Sequence, residues 1–232
     1  MTTEEVKNVQ NGKVERPNSA AYLVLKRLID IFVSLLGIIV LAVPMAIITL
    51  AIRLDSKGPA FFKQLRMGKD LVPFTCIKFR TMSQSAPHAC ATAELDEAES
   101  YITRVGAVLR KFSLDEVPQI FNILKGDMSF IGPRPVIVEE TELIDLRERN
   151  GVYVIKPGLS GWAQINGRDL VTIEEKVALD TYYVKNENLW LDSKIFFLSI
   201  KYALARKDVH EGNLKDYVPP TLEVDEKETV TK

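Results

Sequence analysis

Histidine and cysteine are scarce in this 232-residue chain, with two of each. Cys76 and Cys90 are too few for a disulfide framework and fit a reducing compartment. His88 and His210 stand alone, without metal-ligand spacing, so neither a zinc site nor a Ser-His-Asp or Cys-His arrangement can be argued from them. There is no P-loop, GxGxxG or CxxC. An excess of charge is also missing: 30 Lys and Arg against 31 Asp and Glu leave a formal charge of −1. That balance excludes a protein that coats nucleic acid, and 47% hydrophobic residues exclude a disordered chain. A mean hydropathy close to zero excludes a multi-span transporter. No internal repeat is present.

What the chain does have is one long apolar run. Ile31 to Ile52 gives 22 consecutive uncharged residues, interrupted in polarity only by Ser34, Gly37, Pro44 and Thr49. As a straight helix it would measure about 33 Å, enough to cross a bilayer core of about 30 Å. Two features favour a different reading. Pro44 removes the hydrogen bond to the Val40 carbonyl and divides the run into parts too short to span. The flanks carry four basic residues (Lys13, Arg16, Lys26, Arg27) against five (Arg53, Lys57, Lys63, Arg66, Lys69), which sets no orientation. A helix that enters the membrane, bends at Pro44 and leaves by the same face accounts for both, slightly ahead of a kinked span. From Arg53 to Arg80 there are seven basic and two acidic residues, a belt expected to press the following domain onto an anionic surface.

The rest reads as α+β, mostly helical with few short strands. Residues 1–20 form a polar tail, 21–55 the membrane helix, 56–210 a cytoplasmic domain and 211–232 a second polar tail. FFKQ and PFTCIKFRTM have strand composition. Thr81 to Thr103 lacks Lys and Arg and reads as an acidic loop or short helix. Ile102, Val105, Leu109 and Phe112 repeat at helical spacing, PQIFNILK reads as a helix ending at Gly126, and ELIDLRER as another. KPGLSGWAQINGR is a Gly-rich turn region before a helix at Ile173–Asn186. Leu191–Arg206 is a helix belonging either to the core or to the membrane plane.

The densest cluster of reactive side chains runs from Ser113 to Pro135. Pro118 is comfortable near the first position of a helix, which places Asp115 and Glu116 side by side just before it. Adjacent carboxylates preceded by Arg110 and Lys111 suit a divalent metal or a nucleophile, although Asp-Glu is a common dipeptide and a capping box at Ser113 and Glu116 is the bland alternative. In GPRP, Pro133 and Pro135 hold Arg134 extended, so its guanidinium is presented for phosphate with little entropy left to lose. Lys78 and Arg80, two apart on a strand, would add to the same positive pocket.

These motifs together resemble the bacterial sugar transferases, monotopic polyprenyl-phosphate phosphoglycosyl transferases of minimal catalytic size. KRLIDI, LDSKGPAFFKQLRMG, KFRTM, LRKFSLDEVPQIFNILKGDMSFIGPRP, KPGLSGWAQINGR and LDTYYV follow one another in order from about Lys26 to Arg206. The resemblance implies transfer of a sugar phosphate from a UDP-sugar to undecaprenyl phosphate, with UMP released, at the cytoplasmic face of the inner membrane. It is the first membrane step of exopolysaccharide, capsule or related glycan assembly, feeding downstream glycosyltransferases. By the same resemblance Asp115 is the nucleophile that forms a phosphosugar-aspartyl intermediate, and Mg2+ is held by Asp115 and Glu116. Glu116 is either metal ligand or base. Arg110 and Arg134 bind phosphate, with Lys78, Arg80 and Arg168 as further candidates. Pro44 is the break of a re-entrant hairpin, here preceded by Val43 where the family often has Ser, and a homodimer is possible. A non-catalytic membrane scaffold and a magnesium-dependent nucleotide-sugar hydrolase are the rival readings. The scaffold's expected mark, loss of the dyad or of the GPRP arginine, is absent.

Overall fold

The computed structural model describes residues 19–86, 98–166 and 172–205. The expected N-terminal tail, apart from its last two residues, the centre of the acidic loop, Arg168 and the C-terminal tail lie outside the described residues. The fold is mostly helical with few short strands, and it begins with one long apolar helix, α1 (Ala20–Asp55). Ser19 caps α1 by accepting from the Tyr22 N–H, and Arg53 lies in its last turn. The helix runs through Pro44 as one element, not as two helices joined by a loop.

β1 (Phe61–Met67) and β2 (Pro73–Phe79) follow as an antiparallel ribbon, with Phe61 opposite Phe79 and Met67 opposite Pro73. Their β-branched and aromatic content matches the strand expectation. Then come the short α2 (Ala98–Tyr101), α3 (Arg104–Lys111), a 3-10 turn over Leu114–Gln119, and α4 (Ile120–Lys125). Gly126, at φ +102°, closes α4 in the left-handed conformation expected of it. β3 (Ser129–Ile131) pairs in parallel with β4 (Gly158–Ser160). Between them lies α5 (Thr141–Arg149), and after them α6 (Trp162–Ile165), α7 (Ile173–Asn186) and α8 (Leu189–Ala205). The region read as a Gly-rich turn thus contains a strand. Gly158 permits it, because a Cβ there would sit 2.1 Å from the Gly132 nitrogen.

Several hydrophobic clusters fix these elements. Ile131, Val152, Ile155, Tyr183, Val184, Leu191 and Ile195 join β3, α7 and α8. Met45 and Ile52 of α1 pack with Ala60, Phe79 and Leu109. One face of α1 meets the domain along its length. Lys26 Nζ lies 2.5 Å from Asp192 Oδ2 on α8, and Tyr22 donates to the same oxygen at 2.9 Å. Arg27 donates to the Ile123 and Leu124 carbonyls, and buried Asp30 accepts from the Ser129 hydroxyl and the Phe130 N–H. At the far end Asp55 accepts from the Val105 N–H. The opposite face is bare: Phe32, Ile39, Val43, Ile47 and Leu54 are exposed.

The basic belt divides differently from the expectation. Arg53, Lys57 and Lys63 are exposed, but Arg66, Lys78 and Arg80 turn inward to partners in the domain. Lys78 is drawn to Glu116 on the 3-10 turn, Arg66 to the Pro135 carbonyl and Arg80 to the end of α1, so these cations are paired inside the domain and cannot serve a membrane surface.

Candidate active site

Asp115 and Glu116 lie on the 3-10 turn that leads into α4. Ser113 does not cap it: its backbone is left-handed, at φ 54°, and its side chain makes no capping bond. Asp115 and Glu116 therefore precede the α-helix, as the position of Pro118 suggests, and the capping box is not formed.

The two carboxylates have different surroundings. Glu116 Oε1 accepts from Lys78 Nζ at 2.8 Å and from Arg134 Nη2 at 2.6 Å, while Oε2 lies 3.3 Å from Arg134 Nη1. Burial opposes ionisation of Glu116, but Arg134 and Lys78 outweigh it and hold the carboxyl well below the usual range. Among the described residues no hydrogen bond reaches the Asp115 side chain. Burial pushes its carboxyl up, Lys78 and Arg110 offset part of that, and neighbouring Glu116 adds to it. Burial likewise lowers Lys78, with Glu116 acting in the opposite direction.

Asp115, Glu116, Lys78 and Arg134 converge, with Arg110 close enough to Asp115 to favour its charged form. Arg110 Nε donates to Thr81 Oγ1 at 2.9 Å, which orients it across from β2. Arg80 does not join this group. β2 ends at Phe79, and the Arg80 guanidinium donates to the Ser56 and Lys57 carbonyls and to Ser56 Oγ, closing the end of α1. Arg168 lies outside the described residues.

Arg66 was legible only as one member of a basic run. In the fold its guanidinium donates to the Pro135 carbonyl and, at 2.9 Å, to Gln64 Oε1, bracing the loop that carries Arg134. Its i, i+2 spacing from Gln64 on a strand was the available signal. Thr81 gave none.

A carboxylate pair fenced by cations, one member neutralised and the other unbonded, is chemically a site for handling anionic phosphate. It is set on a mostly helical domain that follows one long apolar helix. The chain belongs to the bacterial sugar transferase family, whose model matches residues 21–206. It is 37% identical over 191 residues to the uncharacterized sugar transferase EpsL of Bacillus subtilis (strain 168), covering 82% of this chain and 93% of that one. It is 38% identical over 201 residues to an undecaprenyl-phosphate glucose phosphotransferase of Komagataeibacter xylinus, covering 80% of this chain and 37% of the relative. A UDP-N-acetylgalactosamine-undecaprenyl-phosphate N-acetylgalactosaminephosphotransferase of Aeromonas hydrophila is 39% identical over 195 residues, covering 80% and 45%. The chain thus spans nearly all of the first relative and less than half of the other two.

Proposed function

We propose that the protein transfers a sugar 1-phosphate from a UDP-sugar to undecaprenyl phosphate, giving the lipid-diphosphate-linked sugar and UMP. The observation that carries this reading is the asymmetry of the dyad: Glu116 is matched by Lys78 and Arg134, while the Asp115 side chain beside it has no hydrogen bond among the described residues. In this reading an Asp115 carboxylate oxygen attacks the phosphorus that bears the sugar. The bond from that phosphorus to the bridging oxygen breaks, and its electron pair leaves with UMP. A phosphate oxygen of undecaprenyl phosphate then attacks the same phosphorus and expels the carboxylate.

Arg134 and Arg110 bind the diphosphate, and Lys78 lowers the cost of bringing a carboxylate to an anion. Glu116, held as a strongly paired anion, is a poor base. It serves as the counter-ion that keeps Lys78 and Arg134 in place. Magnesium favours one or two carboxylates plus substrate phosphates over an all-protein cage. The unbonded oxygens of Asp115 and the remaining lone pair of Glu116 fit that donor set. When bound there, the ion supplies screening between the carboxylate and the diphosphate.

The same reading makes α1 a re-entrant membrane helix, with the catalytic domain on the cytoplasmic face of the inner membrane. Support comes from length. From Tyr22 to Asp55 a straight helix would measure about 50 Å, whereas a compact domain of about 150 residues is roughly 38 Å across. A bend at Pro44 would bring both ends of the helix to one domain, in keeping with the Lys26–Asp192 and Asp55–Val105 contacts.

The test is an assay of purified full-length protein with magnesium, undecaprenyl phosphate and a panel of UDP-sugars, following UMP. Sustained turnover should require the lipid, and Asp115→Asn should abolish it. Full turnover by Asp115→Asn would remove the nucleophile assignment.

A further inference from the structure

The GPRP loop is gripped by its carbonyl oxygens. Pro133 O accepts from the Gly158 N–H at 2.9 Å and Val136 O from the Met67 N–H at 2.9 Å, with Arg66 on Pro135 O between them. The carbonyl of Arg134 itself has a partner from elsewhere: Arg147 Nη1 on α5 donates to it at 2.8 Å. The other arm of that guanidinium, Nη2, lies 2.5 Å from Asp180 Oδ2 on α7. Both side chains are almost wholly buried, Arg147 at 2% and Asp180 at 1% exposure. The apolar cluster of Val136, Leu143, Ile144, Tyr153 and Val177 joins the same two helices to the loop.

A buried ion pair is seldom worth more stability than apolar side chains of the same volume. Packing alone therefore does not call for charges here. A guanidinium has a planar fork of fixed geometry. With one arm tied to Asp180, the other is aimed at a single carbonyl, that of Arg134. The side chain of Arg134 in turn meets Glu116. A chain of direct contacts thus runs from α7 through α5 to the candidate active site, and Arg147 and Asp180 act in it only through Arg134.

We propose that the Arg147–Asp180 pair is the positioning element of the site, fixing the main chain at Arg134 and so the place where its guanidinium meets Glu116 and the substrate diphosphate. The kinetic part of this inference rests on the phosphosugar-transfer reading; the structural part does not. Misplacing such a group by about 1 Å is enough to cost on the order of 100-fold in rate.

The test uses full-length protein in lipid nanodiscs carrying Arg147→Leu together with Asp180→Leu, which strands no charge. Arg147→Lys is the second variant, because one ammonium facing Asp180 lacks the planar fork needed to hold both partners. Hydrogen–deuterium exchange should speed up in the peptide covering residues 132–137 and stay unchanged in β2. The kcat for UMP release should fall by about 10- to 100-fold, with KM for the UDP-sugar within about threefold. In an Arg134→Ala background, the paired Leu substitutions should cost less than about threefold more, because the effect passes through Arg134. Unchanged exchange at 132–137, or losses that multiply in the Arg134→Ala background, would overturn the proposal. If the wild-type protein releases no UMP, the transferase reading falls while the exchange measurement still decides whether the pair pins the loop.

Discussion

Asp115 and Glu116 share one functional group and adjacent positions, yet their neighbours give them opposite electrostatics. For Glu116 the fold favours the ionised form, since its carboxyl is held below the ordinary value of 4.5. The stability it contributes is therefore present above pH 4.5 and is lost as the pH falls toward its folded value. Glu116→Gln leaves Lys78 and Arg134 unmatched and should cost about 1–3 kcal/mol at neutral pH. Thermal melts should show the gap from wild type narrowing below pH 4.5. Asp115 has the reverse sign. Its carboxyl is raised by burial, so ionisation at neutral pH works against the fold. Asp115→Asn should thus melt at or slightly above the wild-type temperature while losing turnover, a separation of stability from activity that a structural carboxylate would not give.

Among the elements, α1 and the β3–β4 pair decide where the GPRP loop sits. Asp30 joins α1 to β3 through the Ser129 hydroxyl and the Phe130 N–H, both within a buried contact. Asp30→Ala leaves those donors unpaired and should cost about 1–3 kcal/mol, read by denaturant titration in detergent. Gly158→Ala should destabilise by a similar amount, about 1–3 kcal/mol. A methyl 2.1 Å from the Gly132 nitrogen forces the two strands apart and displaces GPRP with them. The course of α1 is open to labelling. With Cys90 replaced by Ser, single cysteines at Ala21 and Lys57 should react with an impermeant maleimide from the same side of sealed inverted vesicles. Reaction from opposite sides would establish a span.

At the scale of the whole molecule, the bare apolar face of α1 is accompanied by exposed aromatic residues on α8. Trp190 is 79% exposed and Phe197 68%. Exposed apolar area on this scale marks an interaction surface, for a partner protein or a membrane. Core residues Leu191 and Ile195 anchor the opposite side of α8, so one face of that helix belongs to the core and the other is bare. Trp190→Asp combined with Phe197→Asp should release part of the protein from liposomes in a flotation assay, with little change in melting temperature. Full retention would show that α1 alone carries the attachment. The near-zero mean hydropathy conceals this segregation of an apolar flank from a charged domain.

The order of the helices, the β1–β2 ribbon and the dyad followed by GPRP are local matters, and the chain carries them in periodicity, proline and motif spacing. Pro118 alone placed Asp115 and Glu116 ahead of a helix. Partner choice is not local. Arg80 and Lys78 stand two apart, yet one closes the end of α1 and the other pairs with Glu116, because β2 stops between them at Phe79. The strand in the Gly-rich region escaped because three residues are too few to show a period, and its pairing partner lies across the whole of α5. The sequence by itself determined which groups were available for phosphate chemistry and that an apolar helix accompanies them. Only the tertiary structure decided which carboxylate is neutralised, since that depends on cations brought from β2 and the GPRP loop to one buried point.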